Sequence, residues 1–199
     1  MVELLRSKLR WVAMAVALAA ATPFPVFSQG DAVNVSGVSF RRALEAAGTP
    51  LSLHRAVLFR YKRIFRAYVA ALYLGPGVGP DRVLADVPKR LELSYCVGID
   101  GEDFGPAAEE ILGRMYTPEQ LAPLRERLDR LHRTYRDVED GDRYALTYVP
   151  GRGTELALNG RPLVTIPGAD FQRAYFSIWF GRRPLSSQLR DDLLAGPQP

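Results

Sequence analysis

Arg60 and Tyr68 are the two side chains in this chain whose types and spacing best suit chemistry. One stands at the end of an apolar run over 51–59, the other within a second run over 64–74. Only a few polar residues separate the runs, so they are expected to pair as a hairpin. A turn centred near Ile64 sets Arg60 opposite Tyr68, where side chains touch across the ladder. A guanidinium offers a planar fork of donors and a phenol offers one more. Flanked by Leu58, Ala70 and Leu72, such a pair would receive the carboxylate or phenolate of an otherwise apolar ligand. The same spacing is also met by an arginine at a strand end that reaches solvent beside an ordinarily packed tyrosine.

The remaining polar residues suggest little. His54 and His132 are the only histidines, one in a strand and one on a charged helix, without metal-ligand spacing. Neither has a nucleophile elbow to serve. Gly151-Arg152-Gly153 lacks the strand-to-helix setting of a dinucleotide loop and reads as a turn, so no cofactor and no metal is expected. Glu109-Glu110 and Asp191-Asp192 are adjacent acids on helices, whose side chains diverge into solvent.

The elements that must position Arg60 and Tyr68 follow from periodicity. A short strand is expected over 33–40, then the hairpin, which closes at Gly75-Pro76-Gly77. A short helix over 80–86 precedes a strand over 90–97, with Leu91, Leu93, Tyr95 and Val97 on one buried face. Helix is expected over 103–115. Thr117-Pro118-Glu119-Gln120 then has the form of a capping box with proline at the first helical position. Leu121, Leu124, Leu128, Leu131 and Tyr135 follow at spacings of three and four, on one face of the next helix. Three strands over 143–149, 154–158 and 162–166 make a meander, its second turn marked by Asn159-Gly160. Helices over 170–180 and 186–194 end the chain, the second capped by Ser186. Six or seven strands in hairpins with grouped helices make an α+β fold: a large antiparallel sheet with helices packed on one side.

The first residues read as a secretory signal. Arg6, Lys8 and Arg10 precede an unbroken apolar run over 11–21, and Pro23 and Pro25 lead to a small-residue site at Ser28. The run is too short to span a bilayer. A cleaved signal over 1–28, a single domain over 29–199 and a periplasmic or secreted location are therefore expected, with no transmembrane span in the mature chain. The 26 basic and 22 acidic residues are interspersed, and residues 1–28 hold three of the former and one of the latter. No basic stripe is left for nucleic acid. Cys96 is the only cysteine, so no internal disulfide is available and the core alone must hold the domain together.

Several segments, in order, resemble the chalcone isomerase-like family, and its exported bacterial branch in particular. They are Gly37-Val38-Ser39-Phe40, Leu58-Phe59-Arg60-Tyr61-Lys62, the run over 67–74, Gly153-Thr154-Glu155-Leu156, Ile166-Pro167-Gly168-Ala169-Asp170-Phe171 and Ile178-Trp179-Phe180-Gly181. The resemblance implies an open-faced β-sandwich with a ligand cleft between sheet and helices. Plant enzymes of this family cyclise chalcones to flavanones, with an arginine stabilising developing negative charge. Other plant relatives bind fatty acids through an arginine and a tyrosine. Carried over, the arginine falls on Arg60 and the tyrosine on Tyr68, as in the fatty-acid-binding pattern. The enzyme's polar helix positions fall near Phe104 and Ile111, which cannot hydrogen-bond, and near Ser177. The resemblance thus implies a non-catalytic binder of a small amphipathic or aromatic acid. Arg60, Tyr68, Phe104, Ile111 and Ser177 would line its cleft. The alternatives are an isomerase (intramolecular lyase) that uses Arg60 on a chalcone-like enone, and a structural or partner-binding envelope domain.

Overall fold

A computed structural model describes residues 31–61 and 65–197. The signal read over 1–28 lies outside the described residues. Seven strands form one sheet in strict chain order: β3 (Ala43–Ala46), β4 (Thr49–Tyr61), β5 (Phe65–Leu74), β6 (Lys89–Tyr95), β7 (Arg143–Val149), β8 (Gly153–Leu158) and β9 (Arg161–Ile166). Every neighbouring pair is antiparallel. Such a meander needs only short connections, apart from the helical insertion between β6 and β7.

The segment 33–40, expected as one strand, is instead a hairpin of β1 (Ala32–Val35) and β2 (Val38–Arg41). Its turn places Ser36 at φ 53° and Gly37 at φ 90°, and the Gly37 amide donates to the Asn34 side chain. Two successive positive φ values give the turn whose twist matches paired strands. β3 was not anticipated. It arises from a second turn of the same kind at Ala47-Gly48, hidden by an alanine where asparagine usually signals.

Helices α1 (Gly101–Gly113), α2 (Pro118–Leu121) and α3 (Arg125–His132) fill the β6–β7 connection, and α4 (Ala169–Phe180) and α5 (Ser187–Leu194) follow β9. Both arms of the capping box at Thr117 and Gln120 are formed. The helix expected beyond it is broken, because Pro123 tightens residues 122–124 into a 3-10 turn. Its apolar face survives the break: Leu121, Leu124, Leu128 and Leu131 are all buried. Full burial of a leucine contributes roughly 1.5–3 kcal/mol, enough to hold three short segments on one line. The segment 80–86 makes only one 3-10 turn, Pro80–Arg82.

Helices α1 to α5 cover one face of the sheet, where Ala70, Leu72, Leu91, Leu93, Leu146 and Leu156 meet α1, α3 and α4. The other face carries a smaller core, with Val69, Ala71 and Tyr73 beneath Phe40 of β2. β6 is therefore buried on both sides, not on one as its alternation suggested, and it ends at Tyr95, leaving Val97 exposed. Its polar outer residue Glu92 is paired with Arg90 and Arg143. Its first residue, Lys89, is wholly buried on the helix side.

Candidate functional site

The β4–β5 hairpin carries both residues singled out above. Along its ladder Leu58 faces Val69 and Phe59 faces Tyr68; past a bulge at Ala67, Arg60 faces Arg66. Arg60 and Tyr68 are therefore not cross-strand partners, which corrects the expected register by one position. Side chains alternate along a strand, so that single step sends Arg60 to the face opposite Tyr68.

Arg60 is exposed, in a groove of about 390 Å³ between β4 and α5. Past Ser52, β4 has no strand partner on its β3 side among the described residues, and α5 lies along that edge. His54 Nε2 meets the Ala195 carbonyl at 2.8 Å and Arg55 donates to that of Gly196 at 2.7 Å, tying down the end of α5. Leu58, Phe59 and Leu189 make the groove's apolar wall, and Ser186, Gln188 and Asp192 its polar rim. Arg60 has no ion pair or hydrogen bond among the described residues.

Tyr68 points the other way, into the helix-facing layer. Its ring centroid is 5.0 Å from that of Phe59 and 5.9 Å from that of Tyr95, which in turn lies 5.8 Å from Phe104. This seam of rings leads from the groove to a cavity of about 40 Å³ bounded by Tyr95, Phe104, Tyr135, Tyr144 and Trp179, with leucines below. That volume has room for ordered water but not for a long ligand. Burial pushes the hydroxyls of Tyr68, Tyr95, Tyr135 and Tyr175 well above their ordinary range, so all stay protonated. Tyr135 and Tyr175 share a hydrogen bond of 2.8 Å, whereas the Tyr68 hydroxyl and Trp179 Nε1 are buried without partners among the described residues. Among the described residues no carboxylate or imidazole lines the cavity. The layer can hold and orient a ligand by contact and by donated hydrogen bonds.

The model of a family described as chalcone isomerase-like matches residues 32–195. The chain belongs to this family. Among solved structures, a fatty-acid binding protein of Arabidopsis thaliana shares the fold with a TM-score of 0.62. The match covers 82% of this chain and 95% of that one at 15% identity, so the likeness is one of fold. No curated protein matches the sequence.

Within this chalcone isomerase-like fold the five expected site residues are dispersed rather than gathered. Phe104 of α1 lines the cavity and stacks on Tyr135 at 4.8 Å, while Tyr68 sits one ring away from it. Ile111 is buried in the core between α1 and its neighbours and does not line the cavity. Ser177 of α4 donates to the Ala174 carbonyl and borders a separate groove beside Arg173 and Arg182. Arg60 occupies the groove at the β4 edge. Among the described residues no cluster of His, Cys, Asp or Glu is arranged to hold a metal, and no helix is long and apolar enough to cross a membrane.

Sequence reasoning missed Tyr95, Tyr135, Tyr144 and Trp179 as site residues. Their burial was legible, since Tyr95 alternates with Leu91 and Leu93, and Trp179 shares a helix face with Phe171 and Tyr175. Nothing in a periodic pattern separates a ring that fills the core from one that bounds a cavity.

Proposed function

We propose that this chain is an exported, non-catalytic binder of an amphipathic small acid, with a fatty acid as the reference ligand. The observation that carries the reading is Arg60, a cation without a counter-ion among the described residues, set in a groove whose wall is Phe59, the first ring of the seam leading inward. A carboxylate accepts the planar fork of a guanidinium in two hydrogen bonds. The acid's apolar body then passes Phe59 and enters the layer beside Tyr68. That the Arabidopsis thaliana neighbour is described as fatty-acid binding supports the same class of ligand. Small-molecule pockets commonly measure roughly 300–1,000 Å³. A cavity of about 40 Å³ therefore means that loading parts the helices from the sheet. Arg60 and Phe59 hold the mouth, Tyr68 and Phe104 the interior; Ile111 and Ser177 support the helices that move.

The isomerase alternative has less support, because Phe104, which lines the cavity, supplies no hydrogen bond to orient a polyphenol. One observation favours the envelope-interaction reading: the layer is largely filled by its own rings. Its other requirement, an internal carboxylate paired with Arg60, is not met among the described residues.

The test is mass spectrometry of solvent extracts from the exported protein and its Arg60→Ala variant. A lipid or aromatic acid carried by the unmutated protein and missing from the variant is the expected result. Equal retention by both proteins sinks the assignment of Arg60, and an empty unmutated protein shifts weight to the interaction reading. Sequencing the N-terminus of the exported form tests the cleavage expected after residue 28.

A further inference from the structure

We infer that the aromatic layer contains a second recognition point, formed by Trp179 Nε1 and the Tyr68 hydroxyl, for a hydrogen-bond acceptor within the ligand's apolar body. The inference rests on the reading that an acid enters past Arg60, and it narrows the ligand to acids bearing an in-chain oxygen such as a keto group.

Both atoms are buried and neither has a partner among the described residues. The indole N–H can only donate, and burial keeps the phenol protonated, so the pair offers two donors. Native interiors rarely leave such groups unmatched. Of the hydroxyls nearby, Tyr135 bonds Tyr175, and that of Tyr144 donates to the Arg136 carbonyl at 3.0 Å while accepting from its amide at 2.8 Å.

Their placement fits a ligand oxygen. Trp179 bounds the cavity, and Tyr68 packs edge-on against Tyr95, which bounds it too. The indole N–H approaches the phenol oxygen closely enough to oppose part of the upward push on its hydroxyl, but short of the geometry of a full hydrogen bond. One acceptor atom between them would take a bond from each. In the empty protein a water can serve, and a ligand oxygen that displaces it must reproduce its bonds. A saturated chain would expel the water and leave both donors unmet. A site built to hydrogen-bond a ligand discriminates strongly against the analogue without that group.

The experiment is isothermal titration of the full protein with hexadecanoic acid and with a set of its mono-keto isomers. At least one isomer should bind about tenfold or more tightly than the parent acid, the scale expected when two buried donors gain an acceptor. Trp179→Phe and Tyr68→Phe keep an aromatic ring in place, and each should cut that preference to about threefold or less. Arg60→Ala should weaken the keto acid and the parent acid in parallel, leaving their ratio intact. Should one Phe variant fail to fold, as seen in its circular dichroism melt, the other carries the test. The inference is overturned if the parent acid binds as tightly as every isomer, or if the preference persists in the folded Phe variants. In either case the Arg60 reading stands on its own. If the unmutated protein binds none of these acids, both readings fall together.

Discussion

The Lys89 ammonium lies 4.7 Å from the centre of the Tyr148 ring and 5.3 Å from that of Phe176, inside the helix-facing core. It donates to the carbonyls of Ala85 at 2.7 Å and Val87 at 3.1 Å, closing the β5–β6 connection against the start of β6. The intervening Asp86 carboxylate accepts from the Tyr148 hydroxyl.

This placement predicts a stability that rises with pH. Burial lowers the Lys89 pKa to about 7, with Asp86 opposing and Arg173 adding to the shift. In an unfolded chain the amine titrates near its ordinary value, about 10.4. Between about pH 7 and 10 the unfolded chain therefore holds a proton that the folded chain gives up, so stability climbs through that window. Below it the penalty is complete and constant. The gain should be on the order of a few kcal/mol, since one pKa unit is worth about 1.4 kcal/mol. Urea denaturation from pH 6 to 10 should show this slope, and Lys89→Met should lack it. A parallel slope in both proteins would place the titration elsewhere.

A second prediction concerns the opposite face of the sheet. Glu92 accepts from Arg90 Nε at 2.9 Å and Nη2 at 2.7 Å through one oxygen, and from Arg143 at 3.3 Å through the other. Arg143 also donates to the Ser39 carbonyl at 3.1 Å and lies 4.7 Å above the Phe40 ring, stapling the β1–β2 hairpin to the sheet. Removing one partner from a buried pair is more damaging than never having built it. Glu92→Ala should cost about 3 kcal/mol. Arg143→Ala should cost less overall but speed amide exchange in β1 and β2 selectively. Uniform exchange across the sheet would argue against the staple.

Asn159 should be costly to replace although it is exposed. It adopts φ 51° in the β8–β9 turn; its side chain accepts from the Arg143 amide at 2.8 Å and donates to Asp142 at 2.8 Å. Asn159→Ala loses both bonds and strains the backbone, a loss of about 2 kcal/mol by chemical denaturation. Asn159→Gly keeps the backbone relaxed and should recover about half of it. Equal losses would mean that the side-chain bonds alone matter.

Where local signals were strong, the elements came out of the sequence correctly. Thr117 and Gln120 form their capping box, Asn159-Gly160 makes its turn, and Ser186 caps α5 by accepting from the Leu189 amide. The errors sit where a local signal was weak or overruled. Ala47 hid the β3–β4 turn, and Pro123 broke a helix whose leucine spacing continued straight through it. The site was legible only as separate pieces: Arg60 and Tyr68 were correctly assigned to one hairpin, but their relation was not.

By itself the sequence determined the α+β class, the sheet with helices on one side, and the family, because alternation, helical spacing and turn residues are properties of neighbouring positions. Only the tertiary structure decided that Tyr68 faces Phe59 and that Arg60 looks out over α5. A bulge of one residue at Ala67 reverses the face of everything beyond it, and its position depends on how the whole hairpin packs. The same holds for the unmatched donors of Tyr68 and Trp179. They come from strands and helices more than a hundred residues apart, and whether they meet a partner depends on how sheet and helices close over the cavity.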